Sequence, residues 1–599
     1  MRRTAMTLTG ALMLSACFGA PQVEEAGGAP QVQPAPPAVQ PVQTTPPGGQ
    51  GTNGGSSTGG GGSPSGEDPE DQPPSKPTEA EAARFLIDAA FGVTREDMAR
   101  VERSGYAAWI EAQMALPMTS VVARTKQSSR THYSINTDLF WEGAVEGEDQ
   151  LRQRVSFALS EMVVVSLQGS GLLRQGRAFG AYMDILREES FGNYEDLIRR
   201  VSLSPAMGMY LSHIGNRPGD PALGTAPDEN FARELMQLFT IGLVELTPGG
   251  EPTGVPTYGQ ADVSGLAKVF TGFNWAGGTE FKWVHPDDVN VFQPMEGYPA
   301  YHDQSDKTFL GTTIPGGLSP EESVKRALDH ILAHPNVAPF VCKQLIQRLV
   351  TSNPTPAYVA RVGAAYESGR FEADGVAFGT GRRGDMAATV AAILLDEEAR
   401  EADARPAQYG RVRPPLARFA HFARTFRDGA GAPTSGQAED TGAMRYMADY
   451  GQHAMGPPSV FGYSRPGFVA PGTWTGDQGL AAPQMSLSSG ASMVGYINTM
   501  ARFVADRGDV PSRAFFTPDY AEWLPLAEEP TRLAEELDLV LTGRTMSEAT
   551  RARIAEAASL IVPRDEGADL PGLDPETARR RVEVAVLMAV TAPAYGVQR

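Results

Sequence analysis

Cysteine is almost missing from this chain: among 599 residues only Cys17 and Cys342 carry thiols. A disulfide framework and a cysteine-built zinc or iron–sulfur site are both excluded. Basic residues are the minority, 51 Lys and Arg against 71 Asp and Glu, which leaves a formal net charge of -20. With no visible basic cluster, a phosphate-backbone footprint is lacking and nucleic acid is not expected as a partner. After the first twenty residues no apolar run is long enough to cross a bilayer, which rules out a multi-pass membrane protein. The common enzyme signatures are also absent: no Gly-x-Ser-x-Gly elbow, no His-Glu-x-x-His, no Walker lysine loop, no haem-attachment motif and no EF-hand spacing. No motif assigns a cofactor, and a site built from distant loops stays open.

What is present begins at the N-terminus. Arg2 and Arg3 precede a short apolar stretch that ends in Leu14-Ser15-Ala16-Cys17. This order of positive, apolar and small residues is that of an export signal. The last four residues resemble the lipobox of bacterial lipoproteins, in which the cysteine is lipidated and becomes the first mature residue. The expectation is a signal over 1–17, lipidation at Cys17, and attachment to the bacterial cell envelope on its periplasmic or surface side. Residues 18–77 are mostly Pro, Gly, Gln, Ser and Thr with an acidic end at Glu67-Asp68-Pro69-Glu70-Asp71. Such a composition cannot bury enough apolar area to offset backbone entropy, so it reads as a disordered tether. Its coil reach is on the order of 40 Å.

From Thr78 onward the apolar residues recur at helical spacing. Thr78 and Glu81 form a capping-box pair ahead of Phe85, Leu86, Ala89 and Ala90. Leu151, Val155, Leu159, Met162 and Val163 make one stripe, and Val324, Leu328, Ile331 and Leu332 another. Ser319-Pro320-Glu321-Glu322 supplies the cap, first-turn proline and glutamate for the latter. Strand-like alternation is scarce, so 78–599 is expected to be one mainly α, multi-helix domain. Long Gly/Pro/aromatic loops at 246–260, 272–318 and 451–485 are where a site is expected, because structureless loops of that length usually carry function. Cys342, in the apolar run Val341–Val350, reads as buried and inert.

Several residue sets could carry chemistry. His330 and His334 are spaced i, i+4, which suits either two metal ligands or polar groups at a helix end before Pro335. The stretch from His285 through Asp287, Asp288, His302, Asp303 and Asp306 to Lys307 combines imidazole, carboxylate and ammonium, as either a metal site or a His-Asp base would require. A solvated loop with turn-capping aspartates has the same composition. Trp283, Tyr298 and Tyr301 are candidates for ligand contact, whereas Phe270 and Phe273 follow core spacing. In the expected helix 228–243, Asp228 can cap, Glu229 and Arg233 pair, and Glu234 joins Arg233 in a polar network.

Asp228-Glu229-Asn230-Phe231-Ala232-Arg233-Glu234-Leu235-Met236-Gln237-Leu238-Phe239-Thr240-Ile241-Gly242 is similar to the signature of the DUF 1800 family. Further matches occur in order: Ala83-Arg84-Phe85-Leu86, Thr271-Gly272-Phe273, His302-Asp303, Lys307-Thr308-Phe309-Leu310-Gly311, His334-Pro335, Pro457-Pro458-Ser459-Val460 and Ala592-Pro593-Ala594-Tyr595. Where many relatives carry a Trp-His-x-His-Phe segment in the helix after Leu-Arg, this chain has Leu151-Arg152-Gln153-Arg154-Val155-Ser156-Phe157-Ala158-Leu159-Ser160-Glu161, and Gly462-Tyr463 stands where Gly-Trp is usual. The resemblance implies an exported, largely helical protein of no established activity. It also implies a partner, because relatives often occur beside a second exported, sulfatase-like family, DUF 1501. The combined expectation is a site joining the N-terminus of helix 228–243 to the His302–Lys307 loop. His302 is the base or ligand, Asp303 its orienting partner, Lys307 an anion contact, and Arg233 with Glu234 the support. It acts on or binds an envelope or extracellular polymer such as a polysaccharide; the alternative is a non-catalytic partner of another exported protein.

Overall fold

The computed structural model describes residues 76–127, 134–168, 171–220, 222–278, 281, 290–427, 451–505, 517–563 and 573–599. The signal segment, Cys17, the tether up to residue 75, and Trp283, His285, Asp287 and Asp288 lie outside them. Within them the fold is mainly helical, with strands only as short two-stranded ribbons.

The first helix, Glu79–Ala89, starts where the capping signal sits: Thr78 Oγ1 accepts from the Glu81 backbone, and the Glu81 carboxylate accepts from the Thr78 N–H. The helix Pro320–Leu332 begins likewise, Ser319 Oγ accepting from the Glu322 N–H at 3.2 Å with Pro320 in the first turn. It ends before His334, so His330 and His334 do not share one helix face. His330 Nε2 donates to the Leu310 carbonyl, while His334 Nδ1 accepts from the Asn336 N–H. The expected helix 228–243 is shorter and divided. An α segment, Asn230–Glu234, runs into a π-helical turn, Leu235–Thr240, where Thr240 Oγ1 donates to the Leu235 carbonyl five residues back. The chain then becomes the strand Val244–Leu246.

One hydrophobic core runs from Ala82 to Tyr595. The helix Gln150–Ser160 lies at its centre against Gly176–Glu188 and Val337–Leu349. The last helices, Pro530–Thr542, Glu548–Ser559 and Pro575–Thr591, pack on one another, and the first of them returns to Glu79–Ala89. A two-residue ribbon, Val597–Gln598 against Arg411–Val412, pins the end of the chain to the middle. Cys342 is fully buried, and its low-polarity surroundings push its thiol pKa far up, so it packs as an inert side chain.

Candidate functional site

His302 follows a short helical turn, Pro299–Tyr301, and its ring is buried. Both ring nitrogens are occupied: Nδ1 lies 2.9 Å from the Thr271 carbonyl oxygen and Nε2 2.9 Å from Ser323 Oγ. Nδ1 must carry the proton it donates to the carbonyl, and Nε2 accepts from the serine hydroxyl. Burial, with Lys307 nearby, depresses its pKa and keeps the ring neutral. Gly272 makes this fit possible. At φ +81° it passes so close that a Cβ there would lie 2.9 Å from the His302 backbone nitrogen.

The other expected members of that site are also used in holding the fold. Asp303 accepts from the Ser305 N–H and hydroxyl rather than from the His302 ring, so it caps a turn. Lys307 is fully buried and its ammonium donates to the Ser305 carbonyl at 3.1 Å, with burial pushing its pKa down. It cannot reach an anion in solvent. Arg233 bonds Glu229 and Gln260, both at 3.1 Å, and Gln260 and Ser264 donate to Glu229 at 2.8 and 2.6 Å. That network fastens Asn230–Glu234 to the helix Gln260–Ala267. Glu234 faces inward, apart from the network, with one carboxylate oxygen buried and unpartnered among the described residues, and burial raises its pKa. No bond joins Arg233 or Glu234 to His302, Asp303 or Lys307 among the described residues. His302, Asp303 and Lys307 thus lock a loop, and Arg233 joins two helices. Of the expected aromatic contacts, Tyr298 and Tyr301 both pack on Phe281, with ring centroids 5.5 and 4.3 Å from it, and Arg217 lies over Phe281 and Tyr301.

A different place has the character of a binding site. The helix Gln150–Ser160 ends at Glu161, where Met162-Val163-Val164-Val165 begins, a run whose branched side chains disfavour another turn. Glu161 thereby projects from a helix end into a narrow cavity of about 20 Å³, room for about one water, which widens toward solvent. Phe157, Val165, Phe179, Met183 and Met455 give the cavity apolar walls. The loop from Gln452 to Tyr463 forms its far side and is sewn to the near side. Leu167 N–H donates to the Met455 carbonyl, Ser166 Oγ to that of Pro457, and Gln168 Nε2 to that of Gly456.

Three of the four polar side chains lining the cavity are already committed. Ser160 donates to the Phe157 carbonyl, Tyr182 to that of Val163, and Tyr463 to that of Gly456 while accepting from the His453 N–H. The Glu161 carboxyl has one long contact, 3.4 Å from Gln452 Nε2. Burial raises its pKa, opposed by the positive charges of Arg348, Arg411 and Arg154. It can accept hydrogen bonds when ionised and donate one when protonated. The cavity lining holds no second carboxyl group, so the paired acid and base of most glycoside hydrolases is not assembled there. A wider depression of about 260 Å³ near Trp523 is lined by arginines paired within the fold, Arg95 with Glu536, Arg424 with Asp97 and Arg427 with Glu146, and by the carboxylates of Glu96, Asp519 and Glu522. Among the described residues no cluster of three or more His, Cys, Asp or Glu could hold a metal ion.

A family model described as "Protein of unknown function (DUF1800)" matches residues 84–597. The chain belongs to the DUF1800 family. No curated protein and no solved structure matches it. In this DUF1800 chain, two segments similar to the family's motifs meet in space: Thr271-Gly272-Phe273 wraps His302-Asp303. Glu161 itself was not among the residues the sequence singled out as a site. Two signals bear on it: a carboxylate ending an otherwise buried helical stripe, and the long loop 451–485 that closes over it.

Proposed function

We propose that this DUF1800 protein is exported and lipid-tethered through Cys17, and that its helical domain binds a ligand of the cell envelope or its surroundings in the Glu161 cavity. The export signal, lipobox-like residues and tether-like composition of 1–77 support the location. The state of Glu161 carries the binding reading: it is the carboxyl with spare hydrogen-bonding capacity in an otherwise apolar, internally satisfied cavity. The ligand this suits reaches Glu161 with one small hydrogen-bonding group, such as a hydroxyl of a sugar unit, and keeps its apolar remainder at the mouth of the cavity. Full-length protein and its Glu161→Gln variant, titrated with envelope polysaccharide fractions, test the reading. Binding should weaken about tenfold in the variant at a temperature where both proteins are folded, as for the loss of one charge-assisted hydrogen bond. Equal binding by both proteins overturns it.

A second reading, a non-catalytic partner of another exported protein, draws on exposed apolar side chains. Trp474 is 66% exposed, and Met493, Val494 and Ile497 lie outward on the helix Gly490–Ala505. Association with another exported protein that is indifferent to Glu161→Gln but lost in Trp474→Ser or Met493→Ser favours this reading.

A further inference from the structure

The depression near Trp523 has far more room than the Glu161 cavity, about 260 Å³ against about 20 Å³. Three parts of the chain meet at it: the start of the helix Arg95–Ser104, capped by Thr94, the end of the helix Pro415–Thr425 with Arg427 beyond it, and the turn from Asp519 to Trp523. That turn is fixed from within. Asp519 Oδ1 accepts from the Ala521 N–H at 2.8 Å, the Asp519 N–H donates to the Phe426 carbonyl, and the Trp523 backbone N–H donates to the Tyr520 carbonyl. Asp519, Glu522 and Trp523 all line the depression from this one turn.

The charges around the space do not balance. Arg95, Arg424 and Arg427 are answered by Glu536, Asp97 and Glu146 at 2.8, 2.9 and 3.2 Å, and Glu96 is taken by Arg100 one helical turn on. Asp519 and Glu522 form no ion pair among the described residues. Glu522 makes no hydrogen bond there either, and Asp519 keeps Oδ2 free. Two carboxylates therefore border the space unanswered, in a chain whose net charge of -20 draws cations from a distance.

A buried donor points to a ligand independently of that charge. Trp523 is 4% exposed, with the Arg95 guanidinium over its ring and the Phe426 ring packed 5.2 Å from it. Its indole N–H has no partner among the described residues, yet it keeps access to solvent, unlike the sealed N–H of Trp109. The solvent beside Trp523 is that of the depression it lines. A donor so deeply set and held open at a cavity wall is satisfied by an acceptor from outside the fold.

We propose that this depression binds a compact ligand carrying an ammonium group beside neutral hydroxyls, the chemistry of an amino sugar. The ammonium pairs with Asp519 and Glu522, and a hydroxyl oxygen accepts from the Trp523 indole N–H. A hydroxyl suits that place because it accepts there and donates elsewhere. The space is smaller than a drug-sized pocket, which limits the ligand to about one ring at a time. The site is separate from the Glu161 cavity and does not depend on the ligand proposed there.

The test uses the full-length protein, melted at constant ionic strength and at a pH where the amine is protonated. Glucosamine hydrochloride replaces sodium chloride, and glucose serves as the control of similar shape without the charge. A ligand that binds only the folded state raises the melting temperature with the logarithm of its concentration. Glucosamine should do so and glucose should not. Asp519→Asn and Glu522→Gln should each need about tenfold more glucosamine for the same rise. Both variants keep the fold, since asparagine still accepts from the Ala521 N–H and Glu522 is exposed. Glu161→Gln should respond as wild type, which keeps this result apart from the outcome at the Glu161 cavity. No rise with glucosamine, an equal rise with glucose, or a rise that Asp519→Asn and Glu522→Gln leave unchanged overturns the proposal.

Discussion

Replacing His213 by glutamine should change how the stability of this protein depends on acidity. The imidazole is 1% exposed, stacked on Phe231 at 3.9 Å and edge-on to Phe270. Its Nε2–H donates to the Ser202 carbonyl at 3.0 Å, while Nδ1 is buried without a partner among the described residues. Protonation would place an unshared charge and an unpaired N–H in the core, and burial pushes its pKa down to about 4. With an unfolded value near 6.5, the unfolded chain takes the proton first. The stabilising contribution is therefore complete above pH ~6.5, falls as pH drops toward about 4, and is constant below. At about 1.4 kcal/mol per pH unit, one such histidine costs about 2.5 kcal/mol between pH ~7.5 and ~4.5. Buried carboxyls with raised values, Glu161, Glu234, Asp149 and Asp88, work in the opposite sense, so the whole-protein curve is a composite. The difference between wild type and His213→Gln isolates the histidine, because glutamine can still donate to Ser202 and does not titrate. Urea unfolding of both proteins at the two pH values gives the number. The variant should be about 1–2 kcal/mol less stable near neutrality, from lost ring contact, and equal or more stable in acid. A stability gap that stays constant across that range would refute the argument.

Gly265→Ala should destabilise by about 3 kcal/mol or more, because a methyl there lands inside the contact radius of the Thr308 carbonyl oxygen, where the helix Gln260–Ala267 meets the strand Lys307–Phe309. Thermal melting reads this directly. His302→Ala should cost about 3 kcal/mol, from two lost hydrogen bonds and a buried serine left unpaired. At a temperature where the variant stays folded, its polysaccharide binding should match wild type; loss of binding without loss of stability contradicts the structural role given to His302.

The helical character of this chain is legible because it rests on local rules. Thr78 with Glu81, and Ser319 with Pro320 and Glu322, satisfy orphan donors within their own first turn, so a reader of the sequence sees the same bonds the fold uses. Cys342 inside an apolar stripe is buried for the same local reason. The π-turn at Leu235–Thr240 is less visible, since no residue pattern within it marks where the hydrogen bonds shift from four residues back to five. The His302–Lys307 stretch shows the limit more sharply. Histidine, aspartate and lysine in sequence have the composition of a catalytic loop, and the distinction lies with Thr271 and Ser323, whose distance from His302 along the chain is unrelated to their 2.9 Å contacts.

Sequence alone determined the composition-driven properties: a mainly helical domain, its caps, the resemblance to one family, and an interior that must hold without disulfides. These follow from periodicity and side-chain chemistry within a few residues of each position. Tertiary structure decided which polar groups are spent on the fold and which are left over. Hydrogen-bond satisfaction is a property of what surrounds a group in space, so only the packed chain separates His302, with both nitrogens engaged, from Glu161, whose carboxyl has one long contact at the edge of a cavity.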